Sequence, residues 1–374
     1  MELVEQTVLI LKLPGRQHNV ALNGIIVVVN VKYNNMVSEF HRNIETQRFF
    51  VLLLIFFLFK LETANSQSYN AYHHMIATAE EFYFVHDNVD SSLTYFQKSF
   101  ETFDFVFARD AINALQIAYR ENRPIEYFLK ISFKSGVTPA IISTIPALNE
   151  FVNDSLANLS VMGNYIKYRS HYLDRINVAC LKKTYILGIY DQIAKYKEGE
   201  NVTEPLFKLA NLYGLPGEKI CGIEDLEITK ELGAEAPDFL RLRDSISSEY
   251  GKNLRYYSLD NNSLIMHLPI VIMLHNYCTY KDYKKALYEA YLSGNIYSRE
   301  IGCIYDNAFR GDDPECLMHV NKGIFGLNRF LKYSTIDKKK ANYLRAKWGI
   351  CSMEADFKKK ELEKLGYKFI WDYW

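Results

Sequence analysis

Residues 95–132 read YFQKSFETFDFVFARDAINALQIAYRENRPIEYFLKIS, and their pattern decides the fold class. Ile112, Leu115, Ala118 and Tyr119 recur at three and four positions, and so do Ile125, Phe128, Leu129 and Ile131 beyond the Asn122-Arg123-Pro124 break. That spacing lines one face of a 3.6-residue helix, whereas a strand would alternate every second residue. Upstream, Met75, Ala79, Phe82 and Val85 form one such stripe and Leu93, Phe96 and Phe100 another, parted by His86-Asp87-Asn88. Pro124 suits the first position of a helix, where its missing N–H costs nothing, and Ser135-Gly136 reads as a stop. Strict alternation of useful length is absent after residue 66, so the expected class is all-α.

The same stretch holds one unit twice. YFQKSF at 95–100 and YFLKIS at 127–132 match across 32 positions, and the helices before them keep that register. A helix–turn–helix unit recurring near ~34 residues has the tetratricopeptide dimension, in which each unit leaves an apolar face for its neighbour. The Trp/Leu-Gly/Tyr signature of such repeats is not legible, so degenerate tetratricopeptide-like helical hairpins are expected over 67–160. Residues 162–197 read as one long helix carrying Ile166, Tyr172, Ile176, Leu181, Ile186 and Ile189. It would join the hairpins to a helical C-terminal domain, the two together filling 161–374. Within that domain 264–276 (LIMHLPIVIMLHN) is the expected core helix, and the aromatic tail 367–374 is expected to dock on the body.

Residues 49–59 (FFVLLLIFFLF) are an unbroken apolar run. As a helix it would reach roughly 16 Å, about half of a ~30 Å hydrocarbon core. Arg42 and Arg48 precede it, and Ala64 and Ser66 supply small residues at −3 and −1 of a cleavage point. The pattern is that of a secretory signal peptide over 36–66, cut after Ser66. Met36 is the natural start, which makes 1–35 an upstream extension; a small strand at 24–29 and an uncleaved signal anchor are the other readings. The expected location is exported, periplasmic or secreted, with no stable membrane span after cleavage.

Export frames the six cysteines, Cys180, Cys221, Cys278, Cys303, Cys316 and Cys351. None forms C-x-x-C, so no structural zinc site is expected, and up to three disulfides are allowed. Cys303 and Cys316 bracket a polar loop and are the pair expected to close; burial of each as a small hydrophobe is the other reading. Lys and Arg together number 44 against 44 Asp and Glu, a net charge of 0, which argues against a nucleic-acid partner. Neither G-x-G-x-x-G after a strand, nor G-x-x-x-x-G-K-[ST], G-x-S-x-G or H-E-x-x-H occurs, so no cofactor or resident metal is expected.

Among the histidines, His267 and His275 lie eight apart near one helix face, with Pro269 expected to kink the helix between them. The two imidazoles could hold a metal or shuttle protons; alternatively each hydrogen-bonds a backbone carbonyl or a carboxylate such as Asp191 and orders the core. His73-His74 with Glu80 and Glu81 read as a solvated first turn, and His86-Asp87-Asn88 as an interhelix turn with an Asp or Asn cap. Glu224, Asp225, Asp306, Asp312 and Asp313 are further carboxylates with nothing in the sequence to rank them.

Phe107 to Leu115, Asp191-Gln192, the Asn211-Leu212-Tyr213-Gly214-Leu215-Pro216 stop and the His267 helix resemble a family of uncharacterised exported bacterial proteins. Its members couple tetratricopeptide-like helices to a helical domain of unknown function. The likeness covers most of 75–310 through short motifs, and it implies no catalytic residues. Where related domains carry Gln-His-Ala-Asp, this chain has Met266-His267-Leu268-Pro269, without the acidic partner. The expected function is protein or peptide binding on a concave, Tyr-rich surface. A hydrolase or other enzyme with its site near His267, His275 and Asp191 is the alternative, and the sequence leaves catalysis open.

Overall fold

The structure, a computed structural model, describes residues 68–194, 201–224, 264–311, 313–320, 323–328 and 336–371, with isolated positions between 228 and 248. The expected extension, signal peptide and cleavage point lie outside the described residues. Among those described there are sixteen α-helices, a few 3-10 turns and no strand, so the class is all-α. None of these helices is long and apolar enough to cross a membrane.

Two antiparallel hairpins open the described chain. Helices α1 (Tyr69–Phe84) and α2 (Val89–Thr102) make the first, α3 (Ala108–Arg120) and α4 (Glu126–Lys134) the second. The caps follow the sequence: Asn88 accepts the Ser91 N–H at 3.0 Å and starts α2, and α4 stops at Ser135 ahead of Gly136. Pro124 departs from expectation, because α4 begins only at Glu126, behind Ile125. Short helices α5 (Pro139–Ser143) and α6 (Asn149–Asp154), with 3-10 turns, lead to α7 (Tyr165–Leu173), which packs on α4.

The single long helix expected over 162–197 is two helices instead. After α7 the chain breaks, and α8 (Val178–Ala194) starts anew. Asn177 makes the break: its side-chain oxygen accepts the Cys180 N–H at 2.9 Å, as an N-cap does. Its own N–H leaves the helix to donate to the Ile220 carbonyl at 2.8 Å. Helices α9 (Thr203–Tyr213) and α10 (Glu218–Cys221) follow, then α11 (His267–His275), α12 (Thr279–Ser293), α13 (Ser298–Asn307) and α14 (Pro314–Met318). Helices α15 (Lys338–Lys347) and α16 (Met353–Glu363) complete the set.

The described residues from 68 to 371 belong to one compact unit. One core gathers α1–α4, α7, the start of α8 and the tail residues Phe369 and Trp371; a second gathers α9 and α11–α13. Helix α1 is gripped from both ends of the sequence, by α2 on one side and by α12 and α16 on the other. The turn after α15 lets α16 approach: Gly349 has φ +62°, and a Cβ there would lie 2.7 Å from the main chain of His73 and His74.

Helix α3 is the centre. Every residue from Ala108 to Ala118 is buried, including four polar ones, Arg109, Asp110, Asn113 and Gln116. Their spacing puts them on one face, where each finds a partner. Asp110 accepts hydroxyls from Tyr72 (2.7 Å) and Tyr297 (2.6 Å). Asn113 donates to the Phe369 carbonyl at 3.1 Å and accepts the Trp371 indole N–H at 3.0 Å. Gln116 donates to the Lys368 carbonyl (2.6 Å) and accepts the Lys368 N–H (2.7 Å). The tail therefore docks on the body, as its aromatic content implies, as an extended strap along α3; residues 372–374 lie outside the description.

Candidate functional site

The residues singled out for chemistry do not converge. Glu224 accepts the N–H groups of His267 (2.8 Å) and Leu268 (3.1 Å), capping the start of α11, and its second oxygen lies 2.9 Å from His267 Nδ1. His275, at the other end of α11, has Nδ1 2.6 Å from Asp191 Oδ2. Eight residues at 1.5 Å separate the two imidazoles by about 12 Å along the axis. His267, His275 and Asp191 are thus split between two carboxylate–imidazole couples, and the shared site expected of them is not formed. Each couple sits at a helix end: Glu224 at the N-terminus of α11, where the backbone dipole favours a carboxylate, and His275 at its C-terminus. Pro269 does not kink α11, because the helix begins at His267 and the proline falls within its first turn, where no N–H is needed.

The cysteines are corrected as well. Cys316 pairs with Cys278, the residue just before α12, with Cα atoms 5.0 Å apart. Cys303 is a buried free thiol in the middle of α13. Helix geometry turns Cys303 toward the second core, while α14 carries Cys316 to the start of α12. Among the described residues Cys278, Asp313 and Cys316 are the one group of three metal-ligand side chains within 4.8 Å. As a disulfide the two sulfurs offer no thiolate, so this group does not serve a metal in that form.

Other carboxylates resolve into structural tasks. Asp306 is enclosed and accepts the Phe325 (2.7 Å) and Leu327 (2.8 Å) N–H groups, with burial pushing its pKa up to about 7. Asp313 caps α14 through the Glu315 N–H at 2.8 Å. Asp225 and Asp312 lie outside the described residues.

Two buried ionic clusters have no local signature in the sequence. Arg109 bridges Glu218 and Glu300, with its guanidinium 4.3 Å from the centre of the Tyr297 ring. Burial pushes Glu218 up to about 7, against the pull of Arg109. In the other, Lys359 meets Glu80 at 2.6 Å, and Asp356 meets Arg299 and Arg345 at 2.8 Å each. Burial works to raise the Asp356 carboxyl, but Arg299, Arg345 and Lys359 outweigh it and hold it far below the usual range.

The first helix divides its paired residues. His73 (0% exposed) and Glu80 (5%) point into the core, overturning the solvated-turn reading for both. His74 and Glu81, one position on, line an open groove of about 390 Å³ between α1 and α15. Its apolar lining is Ala77, Phe82, buried Ile350 and exposed Ala346, and His86, Asn342 and Ser352 are polar groups beside them. Much of this polar set is already engaged. Glu81 accepts both the N–H and the hydroxyl of Ser352, the hydroxyl at 3.1 Å, and Asn342 accepts the Met353 N–H at 2.9 Å. Burial lowers the His74 pKa, which favours the neutral imidazole. A seven-residue spacing of His74 and Glu81 was the available signal for a shared face; the facing helix α15 was not readable.

No family model, curated protein or solved structure matches this chain.

Proposed function

We propose that this is an exported helical protein, kin to those with tetratricopeptide-like hairpins, that binds a protein or peptide partner through the groove between α1 and α15. The open groove is the observation that carries this reading. Its volume lies in the range of ligand sites, and its lining is mostly apolar. Since Glu81 is engaged by Ser352, and Asn342 by Met353 and Glu354, an incoming chain gains most from an apolar side chain set against Phe82 and Ile350. Burying one such side chain is worth about 1.5–3 kcal/mol. The neutral charge balance supports a partner other than nucleic acid.

Selection of displayed random peptides on the purified protein tests it. The expected result is an enriched motif with an apolar anchor, whose binding is lost in Ala77→Trp and Ala346→Trp, each of which places an indole in the groove. Failure to enrich any motif, or enriched peptides indifferent to both substitutions, would overturn it.

The catalytic alternative keeps one supporting observation. His275 is about one-third exposed while its partner Asp191 is buried, at 36% and 4% of their side chains, the relation of an imidazole base to an orienting carboxylate.

A further inference from the structure

We propose that Cys180 and Cys221 close a second disulfide, joining α8 to α10. Their sulfurs lie 3.6 Å apart, and both residues are fully buried. The main chain just before each is joined by a hydrogen bond, and the segment after Cys221 is tied to α7. The Asn177 N–H donates to the Ile220 carbonyl at 2.8 Å, and the Ile223 N–H donates to the Tyr172 hydroxyl at 2.8 Å. An S–S bond of ~2.05 Å therefore needs only about 1.5 Å of closure, within reach of small side-chain rotations. Among the described residues no third Cys, His, Asp or Glu joins this pair at ligand distance, so the two thiols are not a metal site.

The chemistry is thiol–disulfide exchange, with a small-molecule disulfide or a dithiol oxidase in its disulfide form as oxidant. One cysteine thiolate attacks the oxidant's S–S bond, forming a mixed disulfide and releasing one thiolate. The other cysteine, after losing its proton, attacks the mixed disulfide and releases the second. The protein loses two electrons and two protons; the oxidant's disulfide becomes two thiols. Because both sulfurs are buried in the finished fold, exchange takes place while α10 is still docking. Cys351, enclosed with Lys359 and Asp356 at 3.4 Å each, and Cys303, within α13, remain thiols. The bond would fix α10, and with it Glu218 beneath Arg109. Its occurrence in the cell rests on the export reading, whereas its formation in vitro does not.

The full chain, unfolded and reduced, is refolded in a mixture of reduced and oxidised glutathione, and remaining thiols are blocked with iodoacetamide. It is then digested with trypsin without reduction. The expected result is that fragments 176–182 and 220–230 are recovered joined, lighter by the two hydrogens lost, with Cys303 and Cys351 alkylated. In Cys180→Ser, Cys221 should be alkylated, and the reverse in Cys221→Ser. Recovery of Cys180 and Cys221 both alkylated while Cys278 and Cys316 are joined would overturn the proposal, as would either one joined to a different cysteine. N-terminal sequencing of the natively produced protein tests export separately.

Discussion

Lys359, in the last helix, and Glu80, in the first described one, form an ion pair at 2.6 Å with side chains only 2% and 6% exposed. Their positions differ by 279, so the contact fastens α16 directly onto α1. It belongs to a larger cluster with Asp356, Arg299 and Arg345. Breaking it by Lys359→Met leaves Glu80 buried without its cation, which should cost ~3–5 kcal/mol. Replacing both, as Glu80→Leu with Lys359→Met, should recover much of that loss. Urea denaturation followed by far-ultraviolet circular dichroism measures both.

Acid should weaken the protein through His73. This imidazole is wholly buried, stacked 5.0 Å from the Tyr291 ring, and burial, reinforced by Arg109, lowers its pKa to about 3. Unfolded, it titrates near ~6.5. A group whose folded pKa lies below its unfolded one contributes stability that is present above pH ~6.5 and lost as pH falls toward 3. His73→Phe removes this dependence, so the stability of the wild type relative to the variant should decline over that window. A difference that stays flat from pH 7 to 4 would contradict it.

Asp110 titrates in the opposite sense. Burial raises its carboxyl to about 7, despite the hydroxyls of Tyr297 and Tyr72. The folded state then holds a proton that the unfolded chain releases above pH ~4, so this group's contribution falls between about pH 4 and 7. Asp110→Asn should lack that fall, and the difference between wild type and variant is read from the same denaturation series.

Trp371→Ala should cost ~3–5 kcal/mol, the range for emptying a buried aromatic site. Asn113→Ala should cost less, ~1–3 kcal/mol, by leaving the indole N–H and the Phe369 carbonyl without their partner. The two residues touch, so the double variant should lose less than the sum. Calorimetric melting of the wild type and the three variants decides this.

His267→Ala together with His275→Ala should lower stability, chiefly by exposing the buried Asp191 without its imidazole, while peptide binding in the α1–α15 groove stays unchanged. Loss of a measurable hydrolytic activity with stability intact would instead favour the catalytic reading.

The helical class was legible because apolar residues of α1–α4 keep a 3.6-residue period, and their caps, Asn88 and Ser135-Gly136, are local chemistry. The break between α7 and α8 was not, because Asn177 leaves the helix for a bond to Ile220, a residue on a segment whose position no local pattern gives. Arg109, Asp110, Asn113 and Gln116 look in sequence like a solvated face. They are buried because Glu300, Tyr297 and the tail, all far along the chain, come to satisfy them. The sequence places His267 and His275 on one helix and offers Asp191 as a carboxylate partner, but that Asp191 meets His275 while Glu224 meets His267 is a tertiary fact. The Cys278–Cys316 bond was missed for a like reason, since closeness in sequence favoured Cys303 and only the packing of α14 on α12 selects Cys278.

The strap of residues 367–371 along α3 sets the timetable of folding. A ribosome delivers α3 long before the segment that satisfies Asn113 and Gln116, so through most of synthesis the central helix carries open amide groups and an uncovered apolar flank. Completion of the core thus waits until residues 367–371 have been made and released. Nascent chains halted before residue 367 should be sticky clients of holding chaperones rather than half-built but stable domains.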